Sequence, residues 1–246
     1  MANDIIINID SVYKSFQLGV FNLKSLINKR EFEKNKIEAL KNINLEICRS
    51  DRVGIIGKNG SGKSTLLKII SGVTYPTKGN VEIYGKVSSA LEAGTGFNPE
   101  LTGYDNIFLN GAILGINYKL IKSKINDIIN FSELQSFINT PVKRYSSGMI
   151  IRLAFAIISY LDGDIMILDE ILSVADEDFR IKCVNKIISD CKINNRTLLF
   201  VSHDIRNVQE VCNKIIYLKN GMVEFYGSIK DGIKQYNLDI SKTLLN

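Results

Sequence analysis

Apolar positions divide this chain into short blocks of changing period. Ile5-Ile6-Ile7-Asn8-Ile9 predicts an opening strand. Lys41 to Ile47 alternates strictly, with Ile43, Leu45 and Ile47 on one face, which predicts a half-buried strand. Residues 17–38 interrupt the pattern: Val20-Phe21 and Leu23 to Ile27 run into the charged stretch Asn28 to Lys36, which reads as an insertion carrying a short helix. Gly79 to Tyr84 and Lys86 to Leu91 predict a hairpin turning at Gly85. Residues 103–161 are helical in spacing. Three apolar strands follow, Ile165–Leu168, Thr197–Val201 and Lys214–Leu218, separated by helical stretches. A last hairpin-like strand begins at Gly221, and Ile229 to Tyr236 predicts a closing helix. This alternation of strand and helix predicts a mainly parallel sheet wrapped by helices, with residues from about 92 to 160 as a helical subdomain.

One joint between strand and helix carries chemistry. Gly57-Lys58-Asn59-Gly60-Ser61-Gly62-Lys63-Ser64-Thr65 follows the apolar run Val53–Ile56 and opens into the helical Leu66-Leu67-Lys68-Ile69-Ile70. That is the phosphate-binding loop G-x-x-x-x-G-K-[ST] in its confirming context of strand, loop and helix. Glycines at 57, 60 and 62 let backbone N–H groups, those of Asn59 and Thr65 among them, turn toward phosphate oxygens. The helix start adds partial positive charge. Lys63 supplies a mobile full charge for the β- and γ-phosphates, and the Ser64 hydroxyl suits Mg²⁺. The chain is therefore expected to bind a nucleoside triphosphate, with ATP and Mg²⁺ as its cofactors.

A second apolar strand ends in two acids, Asp169-Glu170. Carboxylates at the end of a buried strand need a charged partner. Asp169 is expected to hold Mg²⁺ through water, and Glu170 to polarise the attacking water as general base. His203, the only histidine in the chain, follows the apolar run Phe200-Val201-Ser202. That position puts it at the carboxyl edge of the sheet, where it can sense the γ-phosphate. In Tyr145-Ser146-Ser147-Gly148-Met149, two serines and a glycine precede an amphipathic helix containing Arg152. Ser146, Ser147 and Gly148 form either a second anion site at a helix start or an ordinary N-cap.

Composition narrows the setting. The 246 residues are 45% hydrophobic, enough for a sizeable core, and carry 31 basic against 26 acidic side chains. That mild excess permits anionic partners and demands none. Cys48, Cys183, Cys191 and Cys212 form no C-x-x-C pair and read as reduced thiols. Met1-Ala2-Asn3-Asp4 lacks a basic n-region, so no export signal is expected. No run reaches the roughly 18 apolar residues of a membrane span.

Together these motifs make the chain resemble the ATP-binding subunit of an ABC transporter over almost its full length. The family signature Leu-Ser-Gly-Gly-Gln stands here as Tyr145-Ser146-Ser147-Gly148-Met149: Ser146 and Gly148 match, while Tyr145, Ser147 and Met149 depart. Arg152, Ala154 and Ala156 match the helix behind it. The loop Pro-Thr-Ser-Ala-Leu-Asp stands as Ile171 to Asp176, keeping Ser173 and Asp176. The resemblance places the adenine-stacking aromatic at Phe16, with Tyr13 as runner-up. Where the family has a glutamine that contacts Mg²⁺, this chain has none, and Glu92 is the substitute.

These departures, with the segment Leu91 to Gly103 and the insertion at 17–38, resemble the exporters of undecaprenyl-linked polysaccharides. The fold implied is an α/β nucleoside-triphosphatase of ABC type, with a mixed sheet core, an antiparallel β part and an inserted helical subdomain. The partners implied are a second copy of the chain, a multi-spanning permease at the cytoplasmic membrane and a lipid-linked polysaccharide. O-antigen of lipopolysaccharide comes first, with teichoic acid or capsule as alternatives and no nucleic acid. Residues 1–246 are expected to form one nucleotide-binding domain without a carbohydrate-binding domain at the C-terminal end. Competing classes fit less well. Translation ATPases of this kind usually fuse two nucleotide domains, repair members insert long coiled coils, and importers usually keep a full signature. A non-enzymatic scaffold would not need both Glu170 and His203.

Overall fold

The computed structural model describes residues 4–17, 36–90, 96–160, 163–169, 176–202 and 204–244. Expectations for Glu92, Glu170, Ser173, His203 and residues 18–35 of the insertion lie outside these. In chain order the elements are β1 (Ile5–Gln17), β2 (Lys36–Cys48), β3 (Arg52–Ile56), α1 (Lys63–Ile70), β4 (Lys78–Ile83) and β5 (Val87–Ala90). Next come α2 (Gly103–Ile113), α3 (Tyr118–Ser132), a 3₁₀ turn (Val142–Arg144), α4 (Ser147–Tyr160), β6 (Ile165–Asp169) and α5 (Glu177–Ile193). The chain closes with β7 (Thr197–Val201), α6 (Ile205–Val211), β8 (Lys214–Lys219), β9 (Met222–Ser228) and α7 (Ile229–Leu244). None of these helices is long and apolar enough to cross a membrane.

Two compact units divide the chain, and each is described by itself. The first comprises residues 1–48, 55–84 and 215–246. In it β2, β1 and β4 form an antiparallel sheet, β1 pairing with β2 from Ile5↔Cys48 to Gln17↔Lys36. Both strands run beyond the expected limits, so Gln17 and Lys36 to Glu38, counted within the expected insertion, are paired sheet residues. Register shifts in β1 explain why Ile6 and Ile7 are both buried: each shift moves the next side chains to the other face. The phosphate loop, α1, β8, β9 and α7 complete this unit. Gly232 seats α7 closely, since a Cβ there would lie 2.1 Å from Ile215 Cγ2.

The second unit comprises residues 49–54 and 85–214. Here β5, β6 and β7 lie side by side, parallel and in register from Val87↔Ile165 and Ile165↔Thr197. Ile165–Leu168 and Thr197–Val201 are buried throughout, as expected of parallel strands covered on both faces. The predicted hairpin at Gly85 does not form. β4 pairs antiparallel with β1, whereas β5 pairs parallel with β6. Gly85 is a bend between the two strands, and a Cβ there would lie 2.7 Å from Asp164 Cβ, so close approach rather than a hairpin turn calls for glycine. The predicted helical stretch resolves into α2, α3 and α4. Phe131, Phe155 and Phe179, from α3, α4 and α5, meet as an aromatic cluster with ring centroids 5.7–6.4 Å apart.

Candidate functional site

In the first unit the sequence Gly57–Thr65 folds as a cradle between β3 and α1. Gly57, Gly60 and Gly62 all have positive φ, 151°, 77° and 106°. At Gly57 a Cβ would lie 2.3 Å from Leu218 O, and at Gly62 2.7 Å from Ala39 O, so both positions require glycine sterically as well. Lys63 folds back over the loop, with Nζ donating to Gly57 O at 2.8 Å and Lys58 O at 3.1 Å. Gly221 N donates to Ser61 O at 3.1 Å and Gly221 O accepts from Lys41 N at 2.7 Å, tying the loop to the β8–β9 turn and to β2.

Two observations fit this cradle to an anion. Helix α1 begins at Gly62 with no side chain capping its N–H groups and no acid in its first turn. Ser61 Oγ is buried with no hydrogen-bond partner among the described residues. Asn59, Gly60 and Ser64 are exposed, and Thr65 is half-buried. Phe16, on β1 in the same unit, is 45% exposed, with Lys14 Nζ 5.1 Å from its ring centroid. Tyr13 is more buried, and its carbonyl accepts from Thr77 N. Of the two aromatics, the exposed ring is Phe16.

The second unit holds the other candidates. Asp169 ends β6 opposite Val201 of β7 and is half-buried. Ser202, next to His203, is 5% exposed, and its Oγ accepts from Asp204 N at 3.1 Å. Ser146 caps α4, its Oγ accepting from Met149 N at 3.2 Å, so the ordinary N-cap reading holds for this serine. Ser146 and Ser147 are exposed. Gly148 has no internal reason to be glycine: a Cβ there would meet only Ser146 Oγ, at 3.9 Å. Tyr145 is buried, and its hydroxyl donates to Phe137 O at 2.8 Å. Burial pushes its phenol above the ordinary value, so it remains a donor.

Sequence reasoning missed how Arg152 is held. Its guanidinium pairs with Glu133 at 2.5 Å and with Asp176, and its Cζ lies 4.7 Å from the Phe179 ring centroid. Lys182 also reaches Glu133, at 2.8 Å. Asp176 caps α5 by accepting from Phe179 N at 3.0 Å. That bond first, and Arg152 second, hold its carboxyl below the usual range. The available signal was a charged residue inside an otherwise apolar helix, which needs a partner. The partners themselves lie too far along the chain for any local pattern to show them.

Asp169 in the second unit carries a carboxylate and Ser64 in the first an exposed hydroxyl, each an oxygen donor of the kind Mg²⁺ takes. Among the described residues, no cluster of three or more His, Cys, Asp or Glu side chains forms a metal cage of the protein's own.

A strand leading into a glycine cradle, an acid-ended parallel strand and a serine-capped helix place this chain among ATP-binding cassettes. The ABC transporter family matches residues 40–173, and the chain belongs to that family. It is 40% identical over 239 residues to the O-antigen export system ATP-binding protein RfbB of Klebsiella pneumoniae, covering 94% of this chain and 97% of the relative. It is 41% identical over 230 residues to the teichoic acids export ATP-binding protein TagH of Bacillus cereus, covering 93% of this chain but only 41% of that relative. The dimeric structure of MJ0796, a bacterial ABC transporter cassette, superimposes with a TM-score of 0.76 at 25% identity, over 91% of this chain and 99% of that one. The fold is thus that of the ABC ATPases, and the protein is an ATP-binding ATPase of this kind.

Proposed function

We propose that this chain is the ATP-hydrolysing subunit of an exporter that moves lipid-linked polysaccharide across the cytoplasmic membrane, with O-antigen of lipopolysaccharide as the first candidate cargo. The observation that carries this reading is the similarity to the Klebsiella O-antigen export protein, which extends over nearly the whole of both chains. Teichoic acid is the second candidate, because the Bacillus relative is equally similar over a comparable stretch of this chain.

In this reading two copies pair head to tail on a membrane-spanning permease, at its cytoplasmic face. Each ATP lies between one copy's phosphate loop and the partner copy's signature. Phe16 stacks on adenine. The N–H groups of the loop from Gly57 to Thr65, with Lys63, hold the β- and γ-phosphates. Ser146, Ser147 and Gly148 close on the γ-phosphate from the other copy. Ser64 and Asp169 are the residues that would hold Mg²⁺, with Glu92 in place of the family glutamine, and the ion would supply neutralisation of phosphate charge. Glu170 accepts a proton from the attacking water as that oxygen bonds to the γ-phosphorus and the bond to the ADP oxygen breaks. His203 contacts the γ-phosphate and registers its loss.

The test is complementation. A strain lacking this chain is expected to retain its lipid-linked glycan inside the cell and to lose it from the surface. The wild-type gene restores display, and Glu170→Gln does not, while the purified Glu170→Gln protein accumulates as an ATP-bound dimer in size-exclusion chromatography. Normal surface glycan without the gene would overturn the export reading. Normal hydrolysis by Glu170→Gln would remove Glu170 as the base.

A further inference from the structure

The signature begins with a tyrosine where the family has leucine, and the structure gives that tyrosine a task. Its side chain is 8% exposed and lies between two segments. On one side its hydroxyl donates to Phe137 O at 2.8 Å. On the other it meets Gly103, the first residue of α2. A Cβ on Gly103 would lie 2.3 Å from Tyr145 Oη, whereas the next contacts, with Ile138, are 3.1 and 3.2 Å. Gly103 does not have a positive φ, so its backbone does not call for glycine. The requirement comes from the space the hydroxyl occupies.

The same two segments are joined along their length. Tyr104 N donates to Ile138 O, Val142 N to Leu101 O and Lys143 N to Pro99 O, each at 2.9 Å, and Thr102 bridges antiparallel to Pro141. Asn106, fully buried, secures the far side of the loop. Its Nδ2 donates to Asn98 O, Leu101 O and Thr102 O, and its Oδ1 accepts from Asn98 N at 2.7 Å. Loop 98–104 is therefore zipped to residues 137–145, and Tyr145 is the last link before Ser146.

We propose that Tyr145 is a positioning residue: its hydroxyl, held between Gly103 and Phe137 O, fixes the start of α4 and so aims Ser146 and Gly148. A leucine is too short to reach either Gly103 or Phe137 O, so the registration is a property of this signature. The inference rests on the reading that Ser146 and Gly148 meet a nucleotide.

The experiment is a cycle of Tyr145→Phe, Gly103→Ala and the double variant, with Ser146→Ala as the control on the reading. Removing the hydroxyl alone is expected to leave affinity for a fluorescent ATP analogue, measured on the isolated subunit, within about twofold while kcat falls about fivefold or more, the scale of one lost neutral hydrogen bond. ATP-induced dimerisation should weaken with it. Gly103→Ala should be worse than Tyr145→Phe, in turnover or in soluble yield. The double variant should return toward Tyr145→Phe, because the atom the new methyl strikes is gone. A merely structural role would not separate kcat from ATP affinity. Wild-type kcat in Tyr145→Phe with Ser146→Ala inactive overturns the inference and leaves the site reading standing. Additive effects in the double variant also overturn it. Full activity in Ser146→Ala removes the site reading and the inference together.

Discussion

Gly62→Ala and Gly60→Ala, two glycines apart by one residue in the phosphate loop, should behave differently, and the structure says by how much. Both have left-handed backbones, φ 106° and 77°. Forcing alanine into that region costs on the order of 1–2 kcal/mol, partly offset by about 0.4–1 kcal/mol from a stiffer unfolded chain. Gly60 faces open space, with nothing within 4 Å of a built Cβ, so only this net cost of about 1 kcal/mol applies. At Gly62 the Cβ would lie 2.7 Å from both Ala39 O and Leu40 Cδ2. Leu40 can rotate, but Ala39 O belongs to the backbone of β2, which is fastened two residues on by Lys41 N donating to Gly221 O. Overpacking of this kind adds about 1–3 kcal/mol. At roughly 2–4 °C per kcal/mol for a chain of this size, Gly60→Ala should lower Tm by about 2–4 °C and Gly62→Ala by about 4–16 °C. Thermal unfolding followed by circular dichroism reads both. Equal shifts in the two variants would refute the steric argument, since the backbone term alone would then account for both.

Other variants and conditions probe the same packing and charge. Lys63→Ala removes the charge that faces the phosphates and should abolish measurable ATP binding and turnover; near-normal ATPase activity would contradict the cradle assignment. Glu133 and Asp176 have carboxyl pKa values held down, Glu133 first by Lys182 and Asp176 first by the Phe179 N–H, with Arg152 acting on both. Depressed acids contribute stability that is complete above the ordinary carboxylate pKa and is lost as pH falls through the folded values. Denaturation midpoints should therefore decline below about pH 4, and Arg152→Met should flatten that decline. Burial raises the thiol pKa of Cys183 and Cys212, and that of Cys191 to about 11. In the native protein at pH 8, a thiol reagent should spare these three and label Cys48 first; rapid labelling of all four would contradict the packing.

Local chemistry made much of this protein legible in its sequence. The phosphate loop needs consecutive residues, because adjacent N–H groups surround one anion, so Gly57 to Thr65 announce themselves. The buried parallel strands Ile165–Leu168 and Thr197–Val201 were legible for a similar reason: burial on both faces forces an unbroken apolar run. The sequence also marked the acid pair at the end of β6 and the serines that open α4.

Partner choice required the tertiary structure. Nothing local distinguishes a hairpin at Gly85 from a chain leaving one sheet for another, because a glycine between two strand-like runs suits both, and only the pairing of β4 with β1 and β5 with β6 decides it. Arg152 showed that it needed counter-charges, yet Glu133 and Asp176 lie 19 and 24 residues away in opposite directions. In the sequence Gly103 is only the start of a helical stretch; in the structure Tyr145 Oη lies 2.3 Å from where its Cβ would be. A sequence determines which groups must be satisfied. Packing alone determines by whom, since hydrogen bonds, ion pairs and steric contacts act over a few ångströms of space regardless of separation along the chain.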